Sequence, residues 1–252
     1  PMAGLETVAR FARRAETSGP TILRFVAWLG FDSYAAFQDT LRAEVQMRLQ
    51  GPLSRYDAQP VNDAKVGPDQ RVAQTLCQNI EAAARDLRPD LPRIVSRLVD
   101  PARDILCIGG RFSWMIASYL YHYLRELRPG VRLVSDSSAA WANYLLDLRP
   151  SDIVVVFDFR RYQHDVLEFA HGAAAQKAEI ILVTDIWYSP IAAFADHVVV
   201  CPVEIPTAFD SGLTGLAMVE IITAAVVDGL GVQSKDRITT LETLRKPFVL
   251  GS

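Results

Sequence analysis

The sequence predicts an all-α helix-turn-helix head joined to an α/β domain built on a doubly wound parallel sheet of about five strands. Three observations carry that reading. Residues 4–50 place apolar side chains three and four apart and contain no strand-like run. From Asp69 onward, short β-branched runs alternate with amphipathic stretches, a pattern that makes neighbouring strands parallel with right-handed crossovers. Between the two lies a polar stretch rich in proline and glycine, residues 56–68. The expected boundaries are a head at 1–56, a linker at 57–69 and a body at 70–252.

In the head, Leu5, Val8, Ala9 and Ala12 share one helical face, Ile22, Phe25, Val26 and Leu29 a second, and Tyr34, Phe37, Leu41 and Val45 a third. Glu16-Thr17-Ser18-Gly19 separates the first two helices. Ser18 or Thr17 can cap the second, and Pro20 falls in its first turn, where a missing N–H costs nothing. Gly51-Pro52 closes the third. The body opens with a long helix at 69–88 and a shorter one at 91–98. Strands are expected at 104–108, 131–134, 152–157, 179–184 and 197–201, with helices at 112–127, 138–147, 163–176 and 189–194 between them. Helices at 211–229 and 234–246 finish the chain.

Half of the 252 residues are hydrophobic and 22% are charged, enough apolar mass for a core and too much for a disordered chain. No apolar run approaches the roughly 18 residues of a membrane span, since Glu220 breaks the stretch 213–227 and Asp228-Gly229 ends it. Glu6, Arg10, Arg13, Arg14 and Glu16 recur with helical spacing, so no secretory leader is expected. Cys77, Cys107 and Cys201 are odd in number and far apart, which argues for a reducing cytoplasm. Residues 1–56 carry seven basic and five acidic side chains, leaving the remainder at −5 of the net −3. A slightly basic head on an acidic body suits a polyanion-binding module.

The second head helix exposes Ser18, Gly19, Thr21 and Arg24 near its N-terminus. Short hydroxyls and an arginine at that place can reach phosphates and a guanine edge in the major groove. A plain helical hairpin fits the spacing as well. Residues 18–37, S-G-P-T-I-L-R-F-V-A-W-L-G-F-D-S-Y-A-A-F, resemble the helix-turn-helix of the RpiR family of bacterial transcription regulators: Thr21, Arg24, Phe25, Leu29, Gly30, Phe31, Tyr34 and Phe37 fall on its pattern. The run L-Q-G-P-L-S-R-Y that follows resembles the end of such heads. Two departures stand out. Ala27-Trp28 occupies the place where the family often carries a basic residue, and the family's head begins with a further helical stretch that this sequence, starting at Pro1, does not contain, so the head is expected to be N-terminally incomplete.

In the body, the first strand runs through C-I-G-G-R-F-S straight into a helix. Gly109 and Gly110 permit a tight turn, and Ser113 can present a hydroxyl at the helix N-terminus, where unpaired N–H groups favour an anion. A tight turn that binds nothing is the alternative. Residues 70–248 resemble the sugar isomerase (SIS) domain, a flavodoxin-like fold that is the usual partner of such a head. The resemblance implies a phosphosugar-sensing site at the C-terminal edge of the sheet. T-D-I-W-Y-S-P-I is similar to the family's segment after the fourth strand, with Thr184, Ser189 and Pro190 in place. Gly109 and Ser113 match the first loop, but Arg111 replaces its second glycine. The serines of the second loop are replaced by F-D-F-R-R-Y-Q, which puts Asp158 and Arg160 at their positions and Gln163 near a threonine position. The expected effector set is therefore Gly109, Gly110, Arg111, Ser113, Asp158, Arg160, Arg161, Thr184 and Ser189, with three guanidiniums facing Asp158. Such a set can hold an anion through the planar fork of arginine, or it can be an Arg–Asp network that fills the old pocket.

His122, His164, His171 and His197 lack metal-ligand spacing, and no complete dinucleotide or Walker loop occurs, so no metal and no cofactor is expected. No catalytic residue is assigned. Glu220, the only acid within 213–227, reads as a buried hydrogen-bonding group, a dimer-seam residue or a base. The combined expectation is a cytoplasmic DNA-binding transcription regulator whose SIS domain senses a small anionic metabolite such as a phosphosugar or sugar acid. Its expected partners are operator DNA, that effector and a second copy in a homodimer or higher homo-oligomer, with no membrane. The alternative is a phosphosugar isomerase-type enzyme with a vestigial head. A third reading is a dimerisation module that has lost its ligand.

Overall fold

The computed structural model describes residues 6–49, 51–57, 67–135 and 137–248. It divides into two compact units, Pro1–Ala58 and Gln59–Ser252. The first unit is helical: α1 (Val8–Arg14), α2 (Gly19–Trp28), α3 (Tyr34–Leu49) and α4 (Pro52–Asp57). Thr7 caps α1 and Ser18 caps α2, each side chain accepting a backbone N–H of the first turn, with Pro20 in the first turn of α2. Ala12, Ile22, Val26 and Phe37 are buried against Val8, Phe11, Phe31, Tyr34 and Leu41. The Tyr34 hydroxyl and the Gln38 amide both donate to the carbonyl of Glu6, which ties α3 to the start of α1.

Two expected face positions of α2 point elsewhere. Ile22 and Val26, one turn apart, form its buried stripe, which turns Phe25 and Leu29 outward to 45% and 43% exposure. Leu5, the side chain of Val45 and residues 58–66 of the expected linker lie outside the described residues. The described ends of that linker are helical, since α4 runs to Asp57 and α5 starts at Pro68.

The second unit is a five-stranded parallel sheet in the order β2-β1-β3-β4-β5, formed by β1 (Ile105–Gly109), β2 (Val131–Leu133), β3 (Ile153–Phe157), β4 (Glu179–Thr184) and β5 (His197–Val200). Cys107 pairs with Leu133 on one side and Val155 on the other, and Val155 in turn pairs with Ile181. Every residue of β1 and β3 is buried, because helices cover both faces and alternate side chains enter alternate cores. Ile105, Cys107, Val155 and Phe157 pack beneath α5 (Pro68–Leu87), α6 (Leu91–Leu98), α7 (Ser113–Leu127) and α10 (Leu213–Leu230). Leu106, Ile108, Val154 and Val156 pack against α8 (Trp141–Leu146) and α9 (His164–Ala175). A last helix, α11 (Val232–Arg245), follows the left-handed Gly231.

The expected elements are present with ends shifted by a residue or two, with three exceptions. Residues 138–147 begin as a 3-10 turn, Ser138–Ala140, before α8. Residues 189–194 form only a 3-10 turn, Pro190–Ala193, capped by the Ser189 hydroxyl on the N–H of Ile191. The third exception corrects the reading of 213–227 as too short to span a membrane. α10 is 18 residues long and, by length and composition, apolar enough to cross one. Glu220 does not interrupt it, since glutamate is a good helix former; it is exposed rather than buried, and its carboxylate accepts the hydroxyls of Tyr119 and Tyr123 from α7, the latter at 3.2 Å. Met218, Val219, Ile222 and Val226 of α10 belong to the core.

Candidate functional site

In open α/β sheets the ligand crevice lies outside the carboxyl ends of the strands, where the strand order reverses. Here the chain moves outward from β1 to β2 and returns on the other side of β1 as β3. The turns after β1 and β3 therefore wall the crevice, and the turn after β4 lies beside them.

The β1 turn depends on two glycines. A Cβ on Gly109 would stand 2.6 Å from the backbone of Ser113, and one on Gly110 would stand 2.1 Å from Oε1 of Gln163. The Ser113 hydroxyl accepts the N–H of Gly110 at 2.8 Å and donates to the carbonyl of Phe157 at 2.7 Å. It thus staples the β1 turn to the end of β3. The N–H of Arg111 donates to Oε1 of Gln163 at 2.6 Å, while its exposed guanidinium lies 5.7 Å from the centroid of the Phe112 ring.

The β3 and β4 turns bring Asp158, Thr184 and Ser189 together. Ser189 donates to Asp158 Oδ2 at 2.5 Å, and Thr184 donates to the Asp158 carbonyl at 2.7 Å while accepting the N–H of Ser189 at 3.1 Å. Asp158 is 2% exposed. Burial outweighs its hydrogen bonds from Ser189 and Gln163 and pushes its carboxyl up to about 6. Asp185 is also fully buried and raised by burial, against hydrogen bonds from the Tyr162 hydroxyl at 2.7 Å, the Trp187 N–H at 3.0 Å and the Arg160 N–H.

The three arginines do not converge on Asp158, which corrects the expected arrangement. The Arg160 guanidinium forks onto Asp210, with Nε 2.7 Å from Oδ2, reaches Glu204 at 3.4 Å, and lies 4.3 Å from the centroid of the Trp187 ring. A buried guanidinium needs opposing charge, and these two acids from the segment before α10 supply it. Arg161 is exposed, in the left-handed region at φ 62°, with no ion pair among the described residues. Arg111 and Arg161 are thus the expected cations left facing solvent. Asp185, Tyr162, Trp187, Glu204 and Asp210 were not anticipated. Asp185 adjoins Thr184 in sequence, whereas Glu204 and Asp210 sit in an irregular stretch without periodicity.

The first unit has its own candidate surface. Ser18, Gly19, Thr21 and Arg24 occupy the first turns of α2. The hydroxyls of Ser18 and Thr21 are 2.9 Å apart, and Arg24 Nη2 donates to Thr21 Oγ1 at 3.3 Å. The exposed Trp28 stacks on Phe25 farther along the helix, with centroids 6.2 Å apart.

The family model of the SIS domain matches residues 98–227, more than half of the chain. The chain belongs to the SIS domain family. Among solved structures this SIS-domain chain is similar to the RpiR transcription factor from Sphaerobacter thermophilus (sugar isomerase domain), with 22% identity and a TM-score of 0.63 over 68% of this chain and 96% of that one. It is similar to the Vibrio vulnificus NanR protein complexed with ManNAc-6P, with 20% identity and a TM-score of 0.64 over 98% of this chain and 88% of that one. A phosphoheptose isomerase from Francisella tularensis is similar at 15% identity and a TM-score of 0.52, over 62% of this chain and 92% of that one. At these identities the likeness establishes the fold. No curated protein matches the chain.

Proposed function

We propose that this SIS-domain protein is a DNA-binding transcription regulator whose body responds to a small anionic sugar-type metabolite at the β1–β3 crevice. The observation that carries the reading is the pairing, in one chain, of a SIS body with a separate helical unit whose α2 presents Thr21 and Arg24 beside a capped N-terminus. The NanR structure supports it, since that protein is similar along 98% of this chain and was solved with a phosphosugar. In this reading Ser18 and Gly19 set the N-terminus of α2 against the phosphate backbone, and Thr21 orients the Arg24 guanidinium toward a guanine edge. In the body, Gly109, Gly110 and Ser113 shape the crevice, Asp158, Thr184 and Ser189 form its floor, and Arg111 and Arg161 receive the anion at the mouth. Arg160 supports that floor from behind. Two-fold pairing of bodies would present two heads to a palindromic operator, and effector binding would alter their spacing.

The test is selection from a random DNA duplex pool with the full chain. A palindromic site should be enriched, and Arg24→Ala should lose about tenfold or more in affinity for it. A thermal-shift screen with sugar phosphates and sugar acids tests the body. An isomerase reading is supported by the likeness to the phosphoheptose isomerase, with Asp158, between Ser189 and the Gln163 N–H, as the carboxylate to test as its base. Turnover of a sugar phosphate by the chain, lost in Asp158→Asn, would favour it over the regulator.

A further inference from the structure

Several donors along the crevice are already engaged by the chain itself. The N–H of Gly110 is held by Ser113, that of Trp114 by the Gly110 carbonyl, and that of Gln163 by Asp158. The hydroxyls of Ser189 and Thr184 are spent on Asp158. These acceptors are backbone atoms or short side chains fixed in place. The N–H of Arg111 differs, because its acceptor is the amide oxygen at the end of the half-buried Gln163 side chain, reaching across from the β3 turn. The same oxygen fills the space that a Cβ on Gly110 would need. It therefore sits as a ligand oxygen would, at the start of α7, with the exposed side chain of Arg111 on one bank and that of Arg161 on the other.

We propose that the Gln163 side-chain amide is an internal plug, which holds the oxyanion seat of the β1 turn and must swing out for an anionic effector to enter. The inference rests on the reading of this crevice as the effector site. It names the residue that sets how tightly that site binds. The plug competes with the ligand for one N–H, so apparent affinity is reduced by the fraction of molecules in which it is seated. Glycine at 110 is part of the device, since a methyl there would take the seat itself, against the amide oxygen and a ligand oxygen alike.

The experiment is calorimetric titration of the full chain with inorganic phosphate and with ManNAc-6P, comparing the parent with Gln163→Ala, Gln163→Ser, Gln163→Glu and Gly110→Ala. Loss of one neutral hydrogen bond predicts about three- to tenfold tighter binding by Gln163→Ala and Gln163→Ser, whereas Gly110→Ala, whose methyl fills the seat itself, should bind more weakly than the parent. Gln163→Glu should bind more weakly than the parent, because a carboxylate holds the seat more firmly and repels the anion. Hydrogen exchange at the Arg111 amide provides a reading without ligand: it should quicken in Gln163→Ala and slow again on adding phosphate. If the parent and folded variants bind equally, the plug is refuted while the effector site stands. If none of them binds either anion, both fall. Gln163→Ser, too short to reach the Arg111 amide, keeps the test decisive should Gln163→Ala fail to fold.

Discussion

Asp158 is held where ionisation is unfavourable. Its carboxyl is raised from 3.8 to about 6, chiefly by burial. Between about pH 4 and pH 6 the folded chain binds this proton more tightly than the unfolded chain does. Stability therefore falls as pH rises through that window and levels off above it. A shift of this size is worth roughly 3 kcal/mol. Asp158→Asn keeps an acceptor for Ser189 and removes the titration, so its urea-unfolding free energy should lose this component of the slope between pH 4 and pH 7. Identical slopes for variant and parent would exclude the carboxyl as the source. Arg160 poses the opposite problem, a cation buried between Asp210, Glu204 and Trp187. Arg160→Ala should cost about 3 kcal/mol, the lower end for a broken buried pair, because both acids are a third or more exposed and rehydrate. Denaturant titration checks it, and a cost below about 1 kcal/mol would mean that the pair contributes little.

At the scale of elements, the two glycines of the β1 turn answer differently to the same methyl group. On Gly109 it meets the backbone of Ser113 and the N–H of Trp114, which cannot yield without moving the start of α7. Gly109→Ala should therefore lower the melting temperature of the body markedly, whereas Gly110→Ala should change it little. In the head, Ser18→Ala removes the α2 cap and should cost about 1 kcal/mol. These elements were readable to different degrees for physical reasons. β1 and β3 announce themselves because strands buried on both faces are continuous apolar runs. The segment at 189–194 misled because Pro190, two alanines and an aromatic fit a helix, while a serine cap followed by proline suffices for a single 3-10 turn. The placing of the two glycines, Ser113, Asp158, Thr184 and Ser189 in adjoining turns was legible because short motifs fix short-range turns. The destination of Arg160 was not, since its partner Asp210 lies fifty positions away on an irregular segment.

For the whole molecule, charge separates two accounts of Arg24. Operator affinity should fall as salt rises, with a log–log slope of about −0.9 for each phosphate neutralised. If Arg24 reads a guanine, Arg24→Ala should weaken binding by about 1–3 kcal/mol yet leave that slope unchanged. A slope shallower by about one would instead make Arg24 a phosphate contact. The sheet has a consequence of a different kind. Ile105 pairs with both Val131 and Ile153, and Ile181 pairs with His197, each across an intervening crossover. No hairpin exists among these strands to form first and guide the others. Each ladder must close a long loop before its hydrogen bonds reward the closure. Refolding of the body should accordingly be slow, with the uncovered edges of β1 and β3 open to other chains in the interval. Its yield from denaturant should fall as protein concentration rises, because the intermediate that waits for its crossovers is also the one that aggregates.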